Sequence, residues 1–336
     1  MIAVTSHEPN FNHPYSGAKL IKEKFPKPDY LVEDFLARQN LTNLTGPPGG
    51  GKTVIAMALV TQNRTGEVLG RRCKPFRTLF IDEENGLQQT RYQFMRMVKG
   101  LLISKAEKTK TCENVTFHCM EGFRTTENWV NRLKGYLNDL KKRGKLPDLI
   151  IIDNISRTFE GDTNTVVDAR MVHRLLKPIA IDYNLAILLL SHTRKGKPTE
   201  LQDISGSGDF GAQVTIAYIT KRYKGITSET EVYLWFKKVK NNLGRPTGPP
   251  ESLLIHEIAE DELALGHQGL VSAVCKKEEK IHEEIKQKIK ELLPMKWGEI
   301  LANLSDYKTG TVKWTLNKMK TEKEIAKGKD EKWKEV

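Results

Sequence analysis

Between residues 41 and 190 short apolar runs alternate with longer amphipathic stretches. Leu41-Thr42-Asn43-Leu44-Thr45 alternates as a short strand, and the apolar residues of 54–60 continue as a buried helix. Residues 78–82 read as a second strand, 86–101 as a long helix and 104–114, polar and lysine-rich, as an exposed loop. A strand over 115–119 precedes a helix over 127–142, where Trp129, Leu133, Tyr136, Leu137 and Leu140 recur near helical spacing. Leu149-Ile150-Ile151-Ile152 shows no alternation, which a parallel strand buried on both faces requires. A helix over 166–183 and an apolar strand over 185–190 follow. Strands alternating with helices of this length predict βαβ units, and hence an α/β fold with a mostly parallel sheet flanked by helices.

The pattern changes after residue 192. Residues 193–208 are polar and Gly-rich, and 214–220 and 232–236 read as two strands. From Lys276 the chain turns lysine-rich and free of arginine. Three apolar stripes follow at helical spacing: Ile281, Ile285, Ile289 and Leu292; Trp297, Ile300, Leu301 and Leu304; Val312, Leu316 and Met319. Lys313, Asn317 and Lys320 lie beside the third stripe. Three short helices followed by residues 324–333 resemble a winged helix-turn-helix, whose third helix enters the major groove of duplex DNA. The expected domains are an arm over 1–27, the α/β domain over 28–260, a linker over 261–275 and the small C-terminal domain over 276–336.

At 336 residues the chain exceeds one average domain. Its mean hydropathy of -0.49 is that of a soluble protein. No apolar run approaches the ~20 residues of a membrane span. Residues 1–15 lack the charged-then-apolar order of a secretory signal, so the expected location is cytoplasmic. Cys73, Cys112, Cys119 and Cys275 are scattered without metal-ligand spacing and read as free thiols. A net charge of +12 favours a polyanionic partner. Lys221, Arg222, Lys224, Lys237, Lys238, Lys240 and Arg245, interleaved with Tyr223 and Trp235, suit single-stranded DNA through phosphate contact and base stacking.

Candidate chemistry begins at Gly46-Pro47-Pro48-Gly49-Gly50-Gly51-Lys52-Thr53. This Gly-rich loop follows a strand and opens a helix, which points backbone N–H groups and the positive helix end at a phosphate. Lys52 is expected to reach the β- and γ-phosphates of ATP and Thr53 to ligate Mg²⁺. A carboxylate at the tip of a neighbouring buried strand completes such a metal site, and Asp153 has that position. Ionised carboxylates after four apolar residues are costly without a cation. Asp82, Glu83, Glu84 and Asn85 follow the second strand, and spacing alone leaves open which acid activates water. His192 ends a strand at the edge of the sheet where ligands bind, and is a candidate γ-phosphate contact.

Residues 28–250 resemble the RecA-like ATPase family that includes the plasmid replicative helicase RepA and has an AAA-type domain. The resemblance lies in residues 29–36 leading into the phosphate loop, and in Leu79-Phe80-Ile81-Asp82-Glu83-Glu84, 148–157 and 188–195. It implies that Glu84 is the catalytic glutamate, that His192 senses the γ-phosphate, and that the protein forms a homo-oligomeric ring with nucleotide sites between subunits. The family and its DnaB relatives commonly end a late strand with Lys-x-Arg, basic fingers for the neighbouring subunit's nucleotide. This chain has Lys240-Asn241-Asn242, so Lys240 matches, Asn242 does not, and Arg245 is the candidate substitute.

Overall fold

The computed structural model describes residues 17–22, 27–158, 166–193, 200–201, 213–223, 231–243, 247–307, 309–321, 324–328 and 330–335. A short helix α1 (Gly17–Lys22) precedes strands β1 (Tyr30–Val32), β2 (Leu36–Ala37) and β3 (Leu41–Thr45). Helix α2 (Lys52–Gln62), the hairpin β4 (Glu67–Val68) and β5 (Arg71–Arg72), and strand β6 (Thr78–Asp82) follow. Then come α3 (Leu87–Lys99), α4 (Lys105–Glu113), β7 (Val115–Cys119), α5 (Glu127–Lys142) and β8 (Leu149–Asp153). After α6 (Ile155–Thr158), α7 (Val166–Asp182) and β9 (Ala186–Ser191) the chain continues through β10 (Ile216–Arg222), β11 (Glu231–Asn241), β12 (Glu251–Ala259) and β13 (Glu262–Leu270).

Among the described residues nine strands form one sheet in the order β13-β12-β11-β10-β3-β9-β8-β6-β7. From β10 to β7 all neighbours are parallel, and from β10 to β13 all are antiparallel. The uninterrupted apolar run of β8 fits its place between β9 and β6. Leu149 and Ile151 pack into the core on the α2 and α3 side, while Ile150 and Ile152 pack into the core beneath α5 and α7. Register brings the strand ends into line, with Thr45 opposite Ser191 and Asp82 opposite Asp153. The ends of β3, β9, β8 and β6 therefore form one polar edge, where a ligand meets the sheet.

Two stretches differ from the sequence expectation. Within residues 104–114, expected as a loop, Lys105–Glu113 form the helix α4. Ser104 Oγ accepts the Glu107 N–H at 3.2 Å as its cap, and Arg64 pairs with Glu107 at 2.9 Å. The helix has no apolar stripe for periodicity to find. The second stretch, 261–275, expected as a linker, holds β13 and the start of the next helix. Leu263 and Leu265 bury one face of β13 in the α2 and α3 core, and the backbone of Leu263 comes so close to Gly100 that a Cβ there would collide with it. Of the arm expected over 1–27, residues 1–16 and 23–26 lie outside the described residues.

The C-terminal stripes fall on three helices, Val271–Leu292, Trp297–Asn303 and Thr309–Thr321, followed by the hairpin β14 (Ile325–Lys327) and β15 (Trp333–Glu335). Ile285, Ile289, Ile300, Leu304, Val312, Leu316, Met319, Ile325 and Trp333 form a core separate from both sheet cores. Met295 forms an isolated antiparallel bridge with Trp333. No helix among the described residues is long and apolar enough to cross a membrane.

Candidate functional site

The phosphate loop joins β3 to α2. Gly49 and Gly51 adopt φ of 69° and 89°, the left-handed region that L side chains rarely enter. A Cβ on Gly51 would also stand 2.5 Å from Leu234 Cδ1. Strand β10 pins the loop from outside: Thr220 Oγ1 donates to Gly50 O at 3.0 Å and Arg222 Nε to Gly49 O at 2.9 Å. Neither tie was visible in the sequence, where Arg222 counted only as positive charge.

Lys52, the first residue of α2, is 6% exposed. Its Nζ donates to Gly46 O at 2.9 Å and Pro47 O at 3.1 Å and lies 3.4 Å from His192 Nδ1. Thr53 Oγ1 donates to Asp153 Oδ2 at 2.9 Å. Burial lowers the Lys52 pKa, opposed by the charges of Asp153 and Glu84. Burial, then the charge of Asp82, pushes the Asp153 carboxyl up to about 7, and the Thr53 hydrogen bond only partly offsets this.

Asp153 Oδ1 is buried without a hydrogen-bond partner among the described residues. A hydroxyl, an orphaned carboxylate oxygen and neighbouring acids make a hard-oxygen set with too little positive charge. That set fits a divalent cation such as Mg²⁺, which commonly takes one or two protein oxygens beside the phosphates.

A stability consequence follows. Folded Asp153 titrates near 7, against 3.8 for an ordinary aspartate. Below the lower value its protonated form costs nothing, and the folded state loses stability as pH rises from the lower value toward the higher one. With divalent metal chelated, Asp153→Asn is therefore expected to gain stability on the order of a few kcal/mol at pH 8. Thermal unfolding of both proteins at pH 5 and pH 8 measures this; an equal difference at the two pH values would contradict it.

The three acids at the end of β6, Asp82, Glu83 and Glu84, separate by their partners. Asp82 accepts from the backbone N–H of Glu84 at 3.0 Å and of Asn85 at 2.8 Å, and from Thr90 Oγ1 at 2.8 Å. It closes the turn. Glu83 accepts from the N–H groups of Glu121, Gly122 and Phe123 at 3.1, 3.2 and 2.9 Å, so its carboxylate holds the loop after β7. Glu84 alone faces the phosphate loop side: Asn154 Nδ2 donates to its Oε2 at 2.5 Å, and His192 Nε2 lies 3.9 Å away. Burial, followed by the nearby Lys52 charge, lowers the His192 pKa and favours the neutral ring.

Lys52, Thr53, Asp153, Glu84 and His192 thus converge on one edge. Lys240 does not join them. It pairs with Ala217, level with Asn43 on β3 and back along the sheet from the loop, and is half-buried near His173. Lys224 and Arg245 lie outside the described residues. Other basic residues of this region are engaged within the chain: Lys238 with Asp34 at 2.5 Å, Lys237 with Glu200 at 3.2 Å, and Lys221 over the Trp235 ring at 4.3 Å. Asn154, buried and bonded to both Glu84 and His192, was missed as a site residue; its place directly after Asp153 was the only available signal.

A Gly-rich loop between strand and helix, with Lys-Thr opposite a buried strand-end aspartate, defines a P-loop NTPase. One strand, β9, separates the loop strand β3 from the aspartate strand β8, and the domain is RecA-like. A family model described as AAA domain matches residues 7–198, and the chain belongs to that family. Similar solved structures, each 15% identical, include a DnaB-like replicative helicase (TM-score 0.49, covering 73% of this chain and 65% of that one). The RadB recombinase (0.46; 68% and 91%) and a further structure described as an ATPase domain (0.48; 69% and 86%) are also similar. No curated protein matches the chain.

Proposed function

We propose that the protein is a Mg²⁺-dependent ATPase acting on DNA in replication or recombination as a homo-oligomer, with a hexameric RepA-like helicase ring as the particular form. The observation that carries the ATPase reading is the convergence of Lys52, Thr53, Asp153, Glu84 and His192 at the sheet edge. In this reading the loop from Gly46 to Thr53 cradles the phosphates, Lys52 neutralises them, and Thr53 and Asp153 hold Mg²⁺. The bound ion supplies charge neutralisation on phosphate oxygens. Glu84 orients and deprotonates the attacking water, and His192 contacts the γ-phosphate. Lys240 and Arg245 are assigned to the neighbouring subunit's nucleotide. For Lys240 this agrees with its distance along the sheet from its own loop.

DNA binding is supported by the net charge of +12 and by the C-terminal segment. Three helices, a hairpin and the Met295–Trp333 bridge support reading this segment as a winged helix. Lys313, Asn317 and Lys320 are exposed on the last helix, opposite buried Val312, Leu316 and Met319. This face is assigned to duplex DNA. The 221–245 region, assigned to single-stranded DNA, has less charge to offer than its sequence implied, because several of its cations already have partners within the chain.

One experiment tests both assignments: ATP turnover and DNA binding of the full chain and of a chain lacking 276–336. The truncated protein is expected to hydrolyse ATP with Mg²⁺, since its sheet and both large cores remain, and to lose most duplex binding. Single-stranded DNA is expected to stimulate both forms. Undiminished duplex binding by the truncated form would remove the winged-helix assignment, and absence of stimulation would favour a regulator whose assembly nucleotide controls.

A further inference from the structure

Asn154 stands between the two polar side chains assigned to sensing and hydrolysis, and it is 1% exposed. Its Oδ1 accepts the Arg157 backbone N–H at 3.1 Å and Ser156 Oγ at 2.5 Å. A backbone N–H can only donate, so these bonds fix which end of the amide is oxygen. The nitrogen end, with two hydrogens, faces two groups: Glu84 Oε2 at 2.5 Å and His192 Nε2 at 3.2 Å. A carboxylate accepts without condition. An imidazole nitrogen accepts only when it carries no proton.

We infer that Asn154 is a positioning residue that ties the aim of the Glu84 carboxylate to the hydrogen-bonding state of His192. The inference rests on the reading of Glu84 as the water-activating base. Neutral His192 has one acceptor nitrogen and one N–H. That one acceptor faces two donors, Asn154 Nδ2 at 3.2 Å from Nε2 and Lys52 Nζ at 3.4 Å from Nδ1, and while Nε2 accepts from Asn154 the protonated Nδ1 can take no hydrogen bond from Lys52. In the other tautomer Nδ1 accepts from Lys52, Nε2 carries the proton and can donate it to a phosphate oxygen, and the Asn154 bond is given up. The amide is then anchored on its oxygen side by Arg157 and Ser156 and on its nitrogen side by Glu84 alone. A change at the phosphate thereby reaches the carboxylate through one side chain, without movement of β8. The burial of Asn154 keeps water from substituting for either bond.

The test combines single-turnover hydrolysis with ATP affinity for Asn154→Ala, Glu84→Gln and the double variant. Misplacing a catalytic group by about an ångström can cost on the order of a hundredfold. Asn154→Ala is therefore expected to slow hydrolysis about ten- to a hundredfold with nearly unchanged affinity, and to add no further loss to Glu84→Gln. Residues acting through one another show such non-additivity. A purely structural role would lower affinity and thermal midpoint and would multiply with Glu84→Gln; either result overturns the inference. Near-wild-type Asn154→Ala beside a slow Glu84→Gln overturns it while sparing the Glu84 reading, whereas a fast Glu84→Gln defeats that reading itself. Should Asn154→Ala fail to fold, Asn154→Ser retains an uncharged oxygen that can accept the Arg157 N–H and lacks the amide nitrogen that reaches Glu84 and His192, and the same outcomes apply.

Discussion

Glu84→Gln is expected to lower single-turnover ATP hydrolysis by at least about a hundredfold, the lower range for a general base, while ATP and Mg²⁺ still bind. The amide keeps the shape of the side chain and can accept the Asn154 hydrogen bond through its oxygen, but it cannot take a proton from water. Glu83→Gln separates the alternatives. The Glu83 carboxylate accepts three backbone N–H groups from 121–123 and is 4% exposed, so its amide loses charge-assisted bonds to a loop and leaves the water site alone. Hydrolysis within a few-fold of wild type is expected, with stability lower by about 1–3 kcal/mol. Single-turnover rates and denaturant unfolding of both variants decide the matter. A larger catalytic loss in Glu83→Gln would transfer the base to Glu83, and small losses in both would point outside this pair.

The second large effect is expected for Lys52→Ala, with turnover reduced about 10²–10³-fold or more through loss of a preorganised positive charge. The charge of Lys52 acts on both Asp153 and Glu84, and it offsets the burial that pushes Asp153 upward. Removing it takes away the phosphate contact and leaves the acids less compensated. Weaker ATP binding is expected together with the slower turnover. Its alkyl chain starts a helix whose apolar packing comes from Ile55 to Val60, so the fold should persist. Turnover and ATP affinity in the presence of Mg²⁺, with a thermal midpoint as the control, provide the check. Wild-type turnover would reject the placement of the nucleotide at this loop.

Several elements were legible because local chemistry dictates them. Leu149 to Ile152 has no polar position, which leaves it only a place in the middle of a sheet. Gly49 and Gly51 are needed where the loop enters left-handed backbone, and the C-terminal stripes repeat at the spacing of one helical face. The helix α4 and the strand β13 were less legible. Few of their residues are buried, and their place is set by a serine cap, by ion pairs and by packing against α3.

Sequence alone determined the phosphate loop, the strand-end Asp153, the alternation that makes the sheet parallel over residues 41–191, and the separate C-terminal core, since each follows from periodicity or from residues adjacent in the chain. Only the tertiary structure gives Asp82, Glu83 and Glu84 their different partners. Neighbouring acids in one turn have the same composition and nearly the same position. Their roles diverge because Thr90 and the turn's own N–H groups reach Asp82, the loop after β7 reaches Glu83, and Asn154 with His192 reaches Glu84. The same holds for the cations of β10 and β11: a lysine's charge is written in the sequence, but whether it meets Asp34, Glu200 or an aromatic ring depends on partners that folding brings from elsewhere in the chain.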